Sequence, residues 1–126
     1  MLVYFGTYTG PKSKGVYVSR LDPASGTLTP PELAAESMSP SFLAVHPTGN
    51  FLYAVNEVNA SGGQPGGSVS AFAIDRRTGR LKALNAQSSQ GAGPAHLIVD
   101  KDGRNVLVAN YGGGSVAVCR SAKTAS

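Results

Sequence analysis

"PSFLAVHPTGNFLYAVN" (40–56) and "PAHLIVDKDGRNVLVAN" (94–110) align without a gap at an offset of 54. Pro40 falls on Pro94, Leu43 on Leu97, Val45 on Val99, Gly49 on Gly103 and Asn56 on Asn110. Between these identities, apolar residues mostly face apolar residues. Each copy holds two short apolar runs joined by a turn-forming segment, "HPTGN" or "DKDGRN". Such runs, bounded by Gly, Pro, Asn and Asp, read as strands.

A second unit surrounds the first. "GVYVSRLDPASGTL" (15–28) matches "GSVSAFAIDRRTGRL" (67–81) once one residue is inserted, with Asp22 on Asp75, Gly26 on Gly79 and Leu28 on Leu81. "GGSVAV" (113–118) begins this unit a third time. "DPASG" and "DRRTG" read as tight hairpin loops closed by their glycines. No stretch shows the apolar spacing of an amphipathic helix. The fold class is all-β.

Together the units predict a four-stranded antiparallel repeat, a to d. Strand a is expected at 41–46 and 95–100, and b at 2–8, 51–57 and 105–110. Strand c is expected at 15–21, 68–74 and 114–119, and d at 27–36 and 81–89. A repeat of four short strands over roughly 40–50 residues is the mark of a β-propeller blade. The chain then holds about two and a half blades. Blade 1 (1–36) lacks strand a, blade 2 (37–89) is complete, and blade 3 (90–118) lacks strand d. Closed propellers need roughly four to eight blades, so the expectation is the N-terminal part of a longer ring. The tail 119–126, "CRSAKTAS", shows no strand alternation and is expected to lie outside the repeat.

Composition fits this reading and excludes others. The 126 residues include 16 glycines and 8 prolines spread along the chain, as frequent turns require. The net charge of +4 permits an anionic ligand. The basic residues form no dense run with interleaved aromatics, so no nucleic-acid partner is expected. The lone Cys119 cannot form an internal disulfide, fits a reducing compartment and reads as a small buried apolar side chain. "MLVYFGTYTG" is too short for a secretory segment, and no run approaches the roughly 20 apolar residues of a membrane span. A cytoplasmic location without membrane partners is therefore expected. The glycine runs "SGGQPGG" and "YGGGS" match no nucleotide fingerprint and read as loops, and no cofactor or metal is expected.

"YFGTYT", "PSFLAVHPTGNFLYAVNE", "GGSVSAFAID…TGRL" and "GAGPAHLIVDKDGRNVLVANYGGGSVAV" closely resemble the opening of the lactonase-family seven-bladed β-propellers. That family includes the propeller type of 6-phosphogluconolactonase and the fungal carboxy-muconate cyclase. The resemblance covers nearly all of residues 2–118 and implies two and a half blades of an expected seven. It implies a sugar-lactone hydrolase, with 6-phosphogluconolactone as the leading substrate. A lactonising muconate-type cyclase of the same fold is the alternative. So is an inactive propeller fragment acting only in self-association through open strand edges.

In an up-and-down blade, alternate connections fall on opposite faces of the disc. The a–b turns (47–50, 101–104) and c–d turns (22–26, 75–79) share one face. The d–a loops (37–40, 90–94) and b–c loops (9–14, 57–67, 111–113) share the other, where propeller ligands usually sit. His96 starts an innermost strand beside a d–a loop on that second face, where its repeat partner is Phe42. Read from the residue alone, it is either a reactive imidazole or a satisfied polar residue at a strand start. The resemblance favours the first, because imidazole can take up and return a proton near neutral pH.

Glu57 is the other candidate base, or a group orienting His96, or a solvated loop carboxylate. Tyr111, Asn110, Asn56, Tyr8 and Thr7 sit at or just past strand-b ends on the same face and are candidate substrate ligands. Asn56 and Asn110 also suit strand ends for backbone reasons. Lys12 and Lys14 could steer an anionic sugar phosphate. His46, in "HPTGN", reads as a residue of the opposite, turn face.

Overall fold

The computed structural model describes residues 1–61 and 63–121, without the side chains of Ser61 and Gln64. Thirteen strands are present among them, and no helix. Blade 1 comprises β1 (Leu2–Phe5), β2 (Gly15–Asp22), β3 (Thr27–Leu28) and β4 (Glu32–Glu36). Blade 2 comprises β5 (Leu43–Val45), β6 (Phe51–Asn56), β9 (Ser68–Ile74) and β10 (Leu81–Ser88). Between its second and third strands lies a small hairpin, β7 (Ala60–Ser61) with β8 (Gln64–Pro65). Blade 3 comprises β11 (Pro94–Val99), β12 (Asn105–Asn110) and β13 (Ser115–Arg120). All pairings are antiparallel, in the orders β5-β6-β9-β10 and β11-β12-β13 for blades 2 and 3. This is the up-and-down blade the repeat predicts.

Three details differ from the expected strands. The outer strand of blade 1 is broken into β3 and β4, each pairing a different end of β2. The gap contains Pro30 and Pro31, which have no N–H to give the ladder. The loop 58–67 contains the β7–β8 hairpin rather than only irregular backbone. β13 ends at Arg120, one residue beyond the strand expected at 114–119, so Cys119 and Arg120 of the expected tail belong to the repeat through the pairs Val106↔Cys119 and Asn105↔Arg120. They extend the strand because the alternation of "SVAVCR" continues, with Ala117 and Cys119 buried and Val116, Val118 and Arg120 exposed. Of the expected tail, residues 122–126 lie outside the described residues.

Alternation within each strand builds the core. One face of the blade 2 sheet packs on blade 1 and the other on blade 3. Leu52, Ala54 and Phe72 of blade 2 pack with Tyr4 and Ala35 of blade 1. Tyr53, Val55, Val69 and Ala71 of blade 2 pack with Leu97, Val106, Val108 and Cys119 of blade 3. β6, flanked on both sides, is buried along five of its six residues. Burying one such Leu or Val side chain contributes about 1.5–3 kcal/mol, so the inter-blade seams hold the sheets in their relative positions.

The turn face is fixed by backbone bonds that recur from blade to blade. Gly26 N–H donates to Asp22 C=O at 2.8 Å and Gly79 N–H to Asp75 C=O at 2.7 Å. Gly49 N–H donates to His46 C=O at 2.8 Å, and Gly103 N–H to Asp100 C=O at 2.9 Å. His46 does more than close its own turn. Its buried ring accepts Thr48 N–H at Nδ1 (3.1 Å), which leaves the Nε2 proton for Gly103 C=O at 2.8 Å in the next blade. Gly103 has φ 73°, and a Cβ there would meet His46 Nε2 at 2.5 Å.

Candidate functional site

On the loop face, the residue just past strand b is held by one bond in two successive blades. Glu57 N–H donates to Ser39 C=O at 3.0 Å, and Tyr111 N–H donates to Gly93 C=O at 2.9 Å. The two acceptors are repeat equivalents with left-handed backbones, φ 42° for Ser39 and 60° for Gly93. Only glycine adopts that region freely, so Ser39 is a strained position at the rim. Its side chain helps hold it, since Ser39 Oγ accepts Thr9 N–H and Thr9 Oγ1 accepts Ser39 N–H.

These anchors set out Tyr8, Glu57 and Tyr111, one residue per blade at the same repeat position. Tyr8 is 65% and Tyr111 86% exposed. Glu57 is half-buried, and its Oε1 accepts the Tyr8 hydroxyl at 2.9 Å and the Ser41 hydroxyl. The hydrogen bond to Glu57, followed by the carboxylate's negative charge, raises the Tyr8 phenol above its ordinary value. Tyr8 therefore stays a protonated donor.

His96 is exposed on β11, and its ring lies 4.3 Å from that of Phe42, its repeat equivalent in blade 2. Neither ring nitrogen hydrogen-bonds a described residue. His96 and Tyr111 line one open depression of about 520 Å³ with Ala109, Ser115 and Val116. No hydrogen bond joins Glu57 to His96 among the described residues. The structure thus separates the expected pair into two groups. Glu57 sits with Tyr8 and Ser41 at the seam of blades 1 and 2, and His96 with Tyr111 on blade 3.

The asparagines and Thr7 lie below this rim. Asn56, 4% exposed, donates through Nδ2 to Ser37 Oγ at 2.8 Å and Met38 C=O at 2.7 Å. Its Oδ1 accepts Ser68 Oγ at 2.9 Å and Ser70 Oγ at 2.7 Å. Asn110 repeats the tie, donating to Ser89 C=O at 2.8 Å and Ser115 Oγ at 3.2 Å, and its buried Oδ1 has no hydrogen-bond partner among the described residues. Thr7 Oγ1 donates to Gly15 C=O at 2.6 Å and contacts Ser13 Oγ, closing the first b–c loop. Asn56, Thr7 and the Asn110 amide nitrogen are thus engaged with the chain itself.

Away from the rim, burial raises the Cys119 thiol and keeps it protonated, which suits its place in the seam. Among the described residues, no three His, Cys, Asp or Glu side chains converge as metal ligands would, and no helix is long and apolar enough to cross a membrane.

Residues 2–126 match the family described as lactonase, 7-bladed beta-propeller. The chain belongs to the lactonase family. A 6-phosphogluconolactonase of Bacillus subtilis is 37% identical over 115 residues, covering 91% of this chain and 32% of that protein. Among solved structures, a candidate 6-phosphogluconolactonase of Bacteroides fragilis superposes with a TM-score of 0.83 at 39% identity, over 94% of this chain and 32% of that one. The periplasmic gluconolactonase of Pseudomonas aeruginosa gives a TM-score of 0.83 at 33% identity, over 94% and 34%. This lactonase-family chain therefore spans about a third of the relatives it matches.

Two rim residues of the lactonase-family chain escaped the sequence reading, Ser41 and Phe42. The signal was present in the repeat. Ser41 pairs with Ala95, Phe42 with His96 and Glu57 with Tyr111, so three of the differences between the copies fall on one face.

Proposed function

We propose that the protein hydrolyses a sugar lactone, 6-phosphogluconolactone in the first instance, and that His96 is the general base. The observation that carries this reading is an exposed imidazole with both nitrogens open, beside Tyr111, on the ligand face of a lactonase-family propeller. Water attacks the ester carbonyl while His96 accepts one of its protons. The Tyr111 hydroxyl, the one tyrosine of the rim not already donating to Glu57, steadies the oxyanion. Collapse breaks the ring C–O bond, and the imidazolium returns the proton to the departing alkoxide. The new carboxylic acid then ionises to 6-phosphogluconate.

In this scheme Glu57 does not serve as base, because two hydroxyls already bind its Oε1. Asn56, Asn110 and Thr7 hold the loops rather than the substrate, because their own chain uses them. Lys12 and Lys14, exposed on the loop face, supply positive charge for the phosphate. A cytoplasmic location is part of the proposal and rests on the single buried cysteine.

Lactone hydrolysis followed by proton release tests the reading. The expected result is a rate above spontaneous ring opening that falls about 10²–10⁴-fold in His96→Ala. A wild-type rate equal to that of buffer overturns the hydrolase, and a rate indifferent to His96→Ala overturns the base.

One further observation favours self-association as a second property. Strand registers place Leu107, Ala109, Val116 and Val118 at the positions of Tyr53, Val55, Val69 and Ala71. The latter four are buried against blade 3. In blade 3, Leu107 is 38%, Val116 80% and Val118 64% exposed, an apolar face of the kind that recruits partners. Size exclusion across protein concentrations is expected to show rising apparent mass, and a monomer throughout overturns it.

A further inference from the structure

We propose that Tyr8, Ser41 and Glu57 form a hydroxyl-reading subsite that decides which way round a polyhydroxylated lactone lies against His96. The inference rests on the hydrolase reading above and deepens it. The three residues come from three separate segments, namely the first b–c loop, the first d–a loop and the end of β6. Their contact is therefore a product of blade packing. Glu57 Oε1 accepts both hydroxyl protons, from Tyr8 at 2.9 Å and from Ser41. With those protons committed, only lone pairs remain on the phenol and serine oxygens, which can then act as acceptors. Glu57 Oε2 carries no hydrogen bond to a described residue.

The result is an array of acceptors with a formal negative charge and no free donor. Its complement is a set of substrate O–H donors, such as the vicinal hydroxyls of a sugar ring. A phosphate or carboxylate is repelled. The hydroxylated edge of the lactone therefore docks on the seam of blades 1 and 2.

One backbone carbonyl holds the array in place. Glu57 N–H and Ser41 N–H both donate to Ser39 C=O, at 3.0 and 2.8 Å, so one strained residue fixes both side chains' backbones. The array also occurs once, since blade 3 has Ala95 and Tyr111 where blade 2 has Ser41 and Glu57.

The test compares D-glucono-1,5-lactone with unsubstituted δ-valerolactone in Glu57→Gln, Tyr8→Phe and Ser41→Ala. The expected result is a fall of about tenfold or more in the preference for the hydroxylated lactone in Glu57→Gln. A smaller fall is expected in the other two, expressed in KM rather than kcat. Equal losses on both lactones, or a loss in kcat, overturn the subsite. A second readout needs no turnover: the Tyr8 ring resonance is followed while D-glucitol is added. A saturable shift in wild type that Glu57→Gln abolishes supports the subsite even if no lactone is hydrolysed, in which case the hydrolase reading alone fails. Hydrolysis without discrimination, together with an unmoved Tyr8 resonance, overturns the subsite and leaves the hydrolase standing.

Discussion

The turn face and the loop face of the same blades use polar residues in opposite ways. On the turn face three acids bind their own backbone. Asp22 accepts Ala24 N–H, Asp75 accepts Arg77 N–H, and Asp100 accepts the N–H groups of Arg104 and Asn105. His46 spans to Gly103, and Arg76 donates to the carbonyls of Thr48 and Gly49. On the loop face His96 makes no such bond, and the Tyr111 side chain is almost wholly exposed. The difference separates positions that fix the scaffold from positions left open to solvent. Positions that must satisfy buried or turning backbone have little freedom, whereas positions past the strand ends can differ from blade to blade.

The two histidines break the comparison most sharply if it is wrong. Beyond the 10²–10⁴-fold rate loss expected of His96→Ala, its melting temperature should stay close to that of wild type. His46→Ala should instead lower stability with little effect on kcat in the molecules that remain folded. Exchange of those phenotypes would mean that the faces have been assigned the wrong way round. The selectivity change of Glu57→Gln, about tenfold, comes next and bears on the loop face alone.

A smaller effect probes the turn face at Gly103. Replacement by Ala forces a side chain into a left-handed backbone and against the His46 ring. The expected cost is about 2 kcal/mol, read as a fall in melting temperature or denaturant midpoint. Gly114→Ala is the control, since it too has a left-handed backbone, φ 67°, but open space around its Cβ. Equal losses at both positions would remove the His46 contact from the explanation.

The smallest effect is a pH dependence. Backbone N–H groups hold the carboxyls of Asp22 and Asp75 below the ordinary aspartate value, with Ala24 and Arg77 the foremost donors. For Asp100 the Asn105 side chain leads, followed by the Asn105 backbone. A carboxyl depressed on folding stabilises the folded chain above its unfolded pKa of about 3.9 and stops doing so as pH falls through the lower folded value. Melting temperature should thus decline modestly below about pH 4, and Asp75→Asn should flatten the decline. A profile unchanged by Asp75→Asn would show that this turn does not depend on the charge.

Much of the fold was legible because the chain contains its own comparison. The match of 40–56 with 94–110 supplied strands, turns and blade order together, and the break at Pro30 and Pro31 follows from the missing N–H. The β7–β8 hairpin was not legible, since a short glycine-rich stretch carries no alternation. His96 could be placed on the loop face, beside Tyr111, from connectivity alone. The tie from His46 to Gly103 could not, because one blade's turn meets another's only after the sheets pack.

By itself, the sequence determined the all-β class, the repeating blade, and which connections share a face. All of these follow from local turn chemistry and the two-residue period of a strand. Only the tertiary structure decided that Glu57 belongs with Tyr8 and Ser41 rather than with His96, and that Asn56 and Asn110 are occupied with their own loops. Side-chain hydrogen bonds of this kind join segments up to 49 residues apart. Their geometry is set by the angle at which one blade packs on the next, and no local pattern encodes that angle.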